Sequence, residues 1–251
     1  MKQTTKELYL KTKQQTAKIV NLGLVQVALS KLIERQDGLP GLGVFYGPSG
    51  FGKTTTTVVI ANEVNAYYVQ MRSAWTRKAL LDKILVEIGM TPAPTMAAML
   101  DQICGQLALS RRALIIDEFD YAADKAGMVE LVRDIYEGSQ VPVLLVGEER
   151  LPQKLKKFER FHGRVLAWVA AQPVSIEDAR ALAGIYADGL SIDDAVLKEL
   201  VRLAHGSVRR VSVNSTNIND HANVAGLTHV GMDELAEVSL FTGEAPARRL
   251  A

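Results

Sequence analysis

Residues 47 to 54 read Gly-Pro-Ser-Gly-Phe-Gly-Lys-Thr. Glycines at this spacing let successive backbone N–H groups turn inward around an anion, and a helix opening directly behind them adds the positive end of its dipole. Gly47, Pro48, Ser49, Gly50, Phe51 and Gly52 are expected to form this cradle, with Thr55 in the first turn of the following helix. Lys53 is placed to reach terminal phosphates, and the Thr54 hydroxyl to hold Mg²⁺. The chemistry implied is the binding of a nucleotide by its phosphates.

A second segment supplies acids. Ala113-Leu114-Ile115-Ile116-Asp117-Glu118 is an apolar run ending in two carboxylates. That is the pattern of a buried strand whose carboxyl end opens into the crevice where α/β sheets bind ligands. Asp117 is expected to hold Mg²⁺ through water, and Glu118 to polarise an attacking water, so the pair points to hydrolysis rather than storage of the nucleotide. Taken without the phosphate loop, Asp-Glu-Phe-Asp would read as well as a solvated strand end.

Such a site needs a scaffold that brings two loops to one end of a sheet. Gly43–Tyr46 is a short apolar run ahead of the loop and Thr54–Ile60 a helix behind it; residues 66–70 form a second strand and Arg77–Ile88 an amphipathic helix. Met96–Leu107 is predicted helical, followed by the strand ending at Asp117-Glu118, a helix over Lys125–Glu137 and a strand over Val141–Gly147. Gln153–Phe161 is predicted as one helix, Val165–Val174 as a last strand, and the chain from Ser175 onward as mostly helical. Residues 5–18 form a polar, basic helix or arm, and residues 22–34 a helix ahead of the Gly38-Leu39-Pro40-Gly41 turn. Strands alternating with helices imply an α/β fold with a parallel sheet sandwiched by helices. A small helical lobe follows, hinged near Gln172-Pro173.

The 251 residues are 48% hydrophobic, ample for a globular core, and a net charge of +1 excludes a protein basic all over while leaving a local basic patch open. The single cysteine, Cys104, excludes an intramolecular disulfide framework and fits a reducing compartment. No run of about 18 apolar residues occurs and the N-terminus lacks an apolar signal core, so a soluble cytoplasmic protein without a membrane partner is expected.

The order of parts resembles the AAA+ ATPases over roughly residues 20–220: phosphate loop, Asp-Glu strand, a strand ending in Gly147-Glu148, an arginine-bearing segment, and a lobe carrying Gly206-Ser207-Val208-Arg209-Arg210. The run from Val143 to Val165 is most similar to the DNA transposition ATPases of the phage Mu B protein and TnsC type. The resemblance implies a basic N-terminal arm (1–20), an AAA+ P-loop NTPase domain (21–174), a small helical lid (175–241) and a flexible tail (242–251). It implies ATP and Mg²⁺ as cofactors. Arg160 or Arg164 becomes the arginine finger offered to a neighbouring subunit's nucleotide, and Arg209, with Arg210 as competitor, the arginine that the family calls sensor 2. Many relatives carry Asn or Thr where this chain has Gly147, which implies a slow, switch-like ATPase.

In the transposition ATPases the segment after the second strand touches the DNA backbone. Here that segment holds Arg72, Arg77 and Lys78 beside Trp75. The resemblance therefore implies double-stranded DNA, a transposase and a homo-oligomer, filament or ring, as partners. The alternative within the family is a helicase-loader-like or other protein-remodelling ATPase.

Overall fold

The structure, a computed structural model, describes residues 17–243; most of the expected basic arm and the tail from 244 lie outside them. The described residues form two compact units, residues 20–172 and a second made of residues 173–243 with 17–19.

The first unit holds a five-stranded sheet with order β2-β3-β4-β1-β5, where β1 is Leu42–Tyr46, β2 Tyr67–Gln70, β3 Leu114–Asp117, β4 Val143–Gly147 and β5 Val165–Ala170. Every pairing is parallel, so all five strands deliver their carboxyl ends to the same end of the sheet. The inner strands are near-continuous apolar runs because both faces are covered. Helix α1 (Val20–Ile33) buries Val25, Ala28, Leu29 and Leu32 at helical spacing, in one cluster with Phe45, Ile115, Leu144 and Val146. Helix α2 (Lys53–Glu63) adds Ile60 and Ala61 to that cluster. Helices α3 (Arg77–Ile88), α4 (Met96–Ser110) and α6 (Ala126–Ser139) pack with the alternate strand residues Val44, Leu114, Ile116, Val143 and Leu145 in a second cluster. A single turn, α5 (Asp120–Ala123), lies between β3 and α6.

Two boundaries differ from expectation. The helix predicted over Gln153–Phe161 is two short turns, α7 (Leu151–Leu155) and α8 (Glu159–His162). Leu155 and Phe161 are both buried, yet six residues apart they would point to different sides of one helix, so the chain leaves helical geometry at Phe158 (φ −107°, ψ 80°) to bury both. The last strand stops at Ala170 rather than Val174, because the Gln172 amide donates to the Asn21 side chain at 2.7 Å and Pro173 has no N–H to offer a ladder.

The second unit is mainly helical: α9 (Ile176–Tyr186), α10 (Asp194–Ala204), α11 (Val208–Ala225) and α12 (Met232–Leu235). Val196, Leu200, Ile218, Ala222, Val230 and Leu235 form its core. A capping box of Ser175 and Asp178 starts α9. A parallel two-stranded ladder, β6 (Ser191–Ile192) with β7 (His229–Val230), was not anticipated. Among the described residues no helix is long and apolar enough to cross a membrane.

Candidate functional site

The phosphate loop is built as its sequence requires. Gly50 (φ 84°) and Gly52 (φ 81°) adopt left-handed backbone that a side chain would strain, and Gly52 is the cap from which α2 departs. Gly47 is held from both sides: its N–H donates to the Gly147 carbonyl at 3.3 Å, and a Cβ on it would meet that of Ala171 at 2.7 Å. The Lys53 ammonium donates to the carbonyls of Gly47 (2.7 Å) and Pro48 (2.9 Å), so the cation sits in the mouth of the loop. Buried Asn21, reaching from α1, donates to the Phe51 carbonyl at 3.0 Å and the Gln172 carbonyl at 2.9 Å, tying the loop to the chain beyond β5. Thr54 is half-buried at the start of α2, and Thr57 bonds back to the Lys53 and Thr54 carbonyls.

Asp117 ends β3, two strands from β1, and is only 2% exposed. Both its oxygens are engaged: Oδ1 accepts the Glu118 amide and Oδ2 the Tyr68 hydroxyl, each at 2.8 Å. A buried, fully held carboxylate of this kind is suited to orient a hydrated cation. No group of three or more His, Cys, Asp or Glu among the described residues could hold a metal alone, so Mg²⁺ here would draw on Thr54, on Asp117 through water, and on the nucleotide's own phosphates. Glu118 follows in left-handed backbone (φ 55°), which costs a non-glycine residue about 1–2 kcal/mol. The fold imposes it through the Phe119 amide, which donates to Val146 at 2.8 Å, and the fully buried Phe119 ring.

The electrostatics couple the two halves. Burial pushes the Lys53 ammonium below its ordinary value, against the opposing pull of Glu118, Asp117, Glu148 and Asp120. Burial also raises the Glu118 carboxyl, reinforced by Asp117 and opposed by Lys53. A carboxylate made more basic beside the Lys53 ammonium is what a general base for water would need. Burial likewise raises the carboxyl of Asp120, the last acid of the Asp-Glu-Phe-Asp run, although that carboxylate accepts the Glu148 amide.

The remaining candidates lie elsewhere. Arg160 and Arg164 are exposed near the amino end of β5. The Arg164 carbonyl accepts the Leu42 amide at 3.0 Å, which places it at the opposite end of β1 from the phosphate loop, about 13 Å away along the strand. The Arg164 guanidinium pairs with Glu137 at 2.6 Å, whereas Arg160 takes part in no ion pair found among the described residues. Arg72, Arg77 and Lys78 are exposed beyond the carboxyl end of β2, an edge strand. Thr76 caps α3 there, accepting from Ala79 at 3.3 Å, and the Arg77 guanidinium lies over Gly127. Trp75 packs partly against the core, so it is a packing residue. In the second unit, Gly206 (φ 84°) and the Ser207 cap launch α11 with Arg209 exposed in its first turn, while Arg210 lies against Gly243.

Residues 36–155 match a family profile described as "AAA domain". With the phosphate loop after β1, the acids after β3 and strand order β2-β3-β4-β1-β5, this decides the architecture. The fold is that of the AAA+ P-loop NTPases. Among solved structures, the Aeropyrum pernix ORC1 protein in complex with DNA resembles this chain with a TM-score of 0.60 and 17% identity, over 86% of this chain and 63% of that one. A Thermotoga maritima RuvB variant aligns with a TM-score of 0.60 and 19% identity, over 87% of this chain and 66% of that one. Among curated proteins, Replication factor C subunit 1 of Oryza sativa subsp. japonica is 25% identical over 171 residues, 65% of this chain and 16% of the rice protein. Replication factor C large subunit of Staphylothermus marinus is 25% identical over 211 residues, 79% of this chain and 43% of that protein. The chain thus spans less than half the length of either curated relative.

Proposed function

We propose that this AAA+ protein binds ATP with Mg²⁺, assembles as a homo-oligomer, filament or ring, on duplex DNA, and delivers that DNA to a transposase, with slow hydrolysis driving disassembly. One observation carries the assembly: the phosphate loop and Glu118 open at the carboxyl end of the sheet, while Arg160 and Arg164 sit at the amino side, out of reach of their own nucleotide. An arginine so placed serves the site of another subunit, where a guanidinium stabilises charge on the transferring phosphoryl group. Arg160 is the finger in this reading, since Arg164 is already paired with Glu137. Lys53 and Thr54 would hold the phosphates and Mg²⁺, Asp117 would hold the ion through water, and Glu118 would take the proton from the attacking water. Arg209 is the sensor 2 arginine in this reading.

The DNA reading is supported by the exposed Arg72, Arg77 and Lys78, suited to sequence-independent phosphate contact, and by the DNA-bound ORC1 protein among the similar folds. The transposase is inferred from the resemblance of the Val143–Val165 stretch. Reduced Cys104 and ATP dependence fit a cytoplasmic setting. A second reading, a helicase-loader-like or other protein-remodelling ATPase, uses the same nucleotide site, and Replication factor C proteins are among the curated relatives. Electron micrographs of the protein on duplex DNA separate the two: continuous filaments with ATP and none with ADP support the first, and isolated rings indifferent to DNA support the second.

A further inference from the structure

Gly147 closes β4 beside the phosphate loop, its carbonyl accepting the Gly47 amide, yet it brings no side chain to that position. The space is filled from the turn after β3, α5, and from α7. A Cβ on Gly147 would lie 2.3 Å from Asp120 Oδ2 and 2.6 Å from the Leu151 Cδ2 methyl. The same Oδ2 accepts the Glu148 amide, the first residue beyond β4. Asp120 Oδ1 is buried without a hydrogen-bond partner, with the Lys154 ammonium 3.9 Å away and the Asp120 side chain only 11% exposed. Asp120 is also near enough for its charge to act on both Lys53 and Glu118.

We propose that Asp120 is a positioning residue of the hydrolytic site: its carboxylate takes the place of the missing side chain at the end of β4 and clamps that strand end to the turn presenting Glu118. The inference rests on the ATPase reading above. Buried Phe119, Ala122 and Ala123 seat the turn in the core, and its hydrogen bonds to the β4 end come from Phe119 and Asp120. Glu118 is in left-handed backbone and Phe119 is tied to Val146 one residue before Gly147, so the Asp120 bond to Glu148 closes a second rung of the same clamp. With both rungs made, the Glu118 carboxylate is held at a fixed offset from the loop that carries the phosphates; with one, the turn can swing. A carboxylate is not required for this, only an acceptor of the right length.

Asp120→Ala and Asp120→Asn are therefore the test, read by kcat, by the Kd of a non-hydrolysable ATP analogue, and by hydrogen exchange of the Glu148 amide. Asp120→Ala is expected to lower kcat at least tenfold with Kd changed less than twofold, and Asp120→Asn, which keeps the acceptor, to stay within about threefold of the parent. Exchange at Glu148 is expected to quicken at least tenfold in the alanine variant and not in the asparagine variant. If alanine does not fold, Asp120→Ser, too short to reach that amide, takes its place. Unaltered exchange at Glu148, or an asparagine variant as slow as alanine, overturns the proposal. A parent without turnover defeats the ATPase reading alone, because the exchange measurement still decides whether Asp120 clamps the strand end.

Discussion

Removing one oxygen, in Tyr68→Phe, isolates the hydrogen bond that holds Asp117. The ring stays, so packing is unchanged; the hydroxyl that donates to Asp117 Oδ2 at 2.8 Å is lost. A hydrogen bond to a charged group is worth about 1.5–3 kcal/mol, and Asp117, 2% exposed, has no ready access to replacement water on its own side. Tyr68 is half-buried, so water can partly stand in, which puts the cost near the lower end, about 1.5–2 kcal/mol. For a chain of this size each kcal/mol moves Tm by about 2–4 °C, giving a fall of about 3–8 °C. If the same energy is expressed in how the carboxylate meets hydrated Mg²⁺, the Mg²⁺ needed for half-maximal hydrolysis rises about ten- to thirtyfold. Thermal melts and a Mg²⁺ titration of ATPase rate measure the two. A Tm within about 1 °C of the parent, together with an unchanged Mg²⁺ requirement, would refute the claim that Tyr68 orients Asp117.

Lys53→Ala removes the cation in the mouth of the loop and is expected to weaken ATP binding at least a hundredfold; calorimetric titration with ATP reports it, and parental affinity would contradict the cradle. Arg160→Ala is expected to abolish turnover in the assembled protein while each subunit still binds ATP, and mixing it with Lys53→Ala subunits should restore hydrolysis because each supplies what the other lacks; no recovery argues for a site completed within one subunit. Single replacements of Arg72, Arg77 and Lys78 are expected to weaken duplex binding on all sequences alike and reduce the salt slope by about 1 per contact, with ATP affinity kept; coincident binding curves would move DNA elsewhere.

The phosphate loop, the acids of β3 and the parallel sheet were legible because each is local: glycine spacing, an apolar run and a following helix are written in consecutive residues. Long-range side-chain bonds were not. Tyr68 meets Asp117 across 49 residues and Asn21 meets Gln172 across 151, and no periodicity marks either pair. The split at Phe158 was hidden for a related reason, since Leu155 and Phe161 each look helical within their own turn and only the core they share forbids one helix through both. The two-residue strands β6 and β7 are too short to carry a pattern at all. Gly147 showed as a missing side chain in the sequence, but only the fold reveals Asp120 filling the gap.

In the proposed cycle ATP holds this protein on duplex DNA and hydrolysis lets it go. Dissociation from labelled duplex, followed after dilution into excess competitor DNA with ATP saturating, tests it in one measurement on the parent and on Glu118→Gln, whose amide can hold a water but cannot take its proton. Both are expected to associate only with ATP, and the variant to remain bound at least ten times longer. Equal lifetimes for parent and variant, or association indifferent to nucleotide, would contradict the cycle.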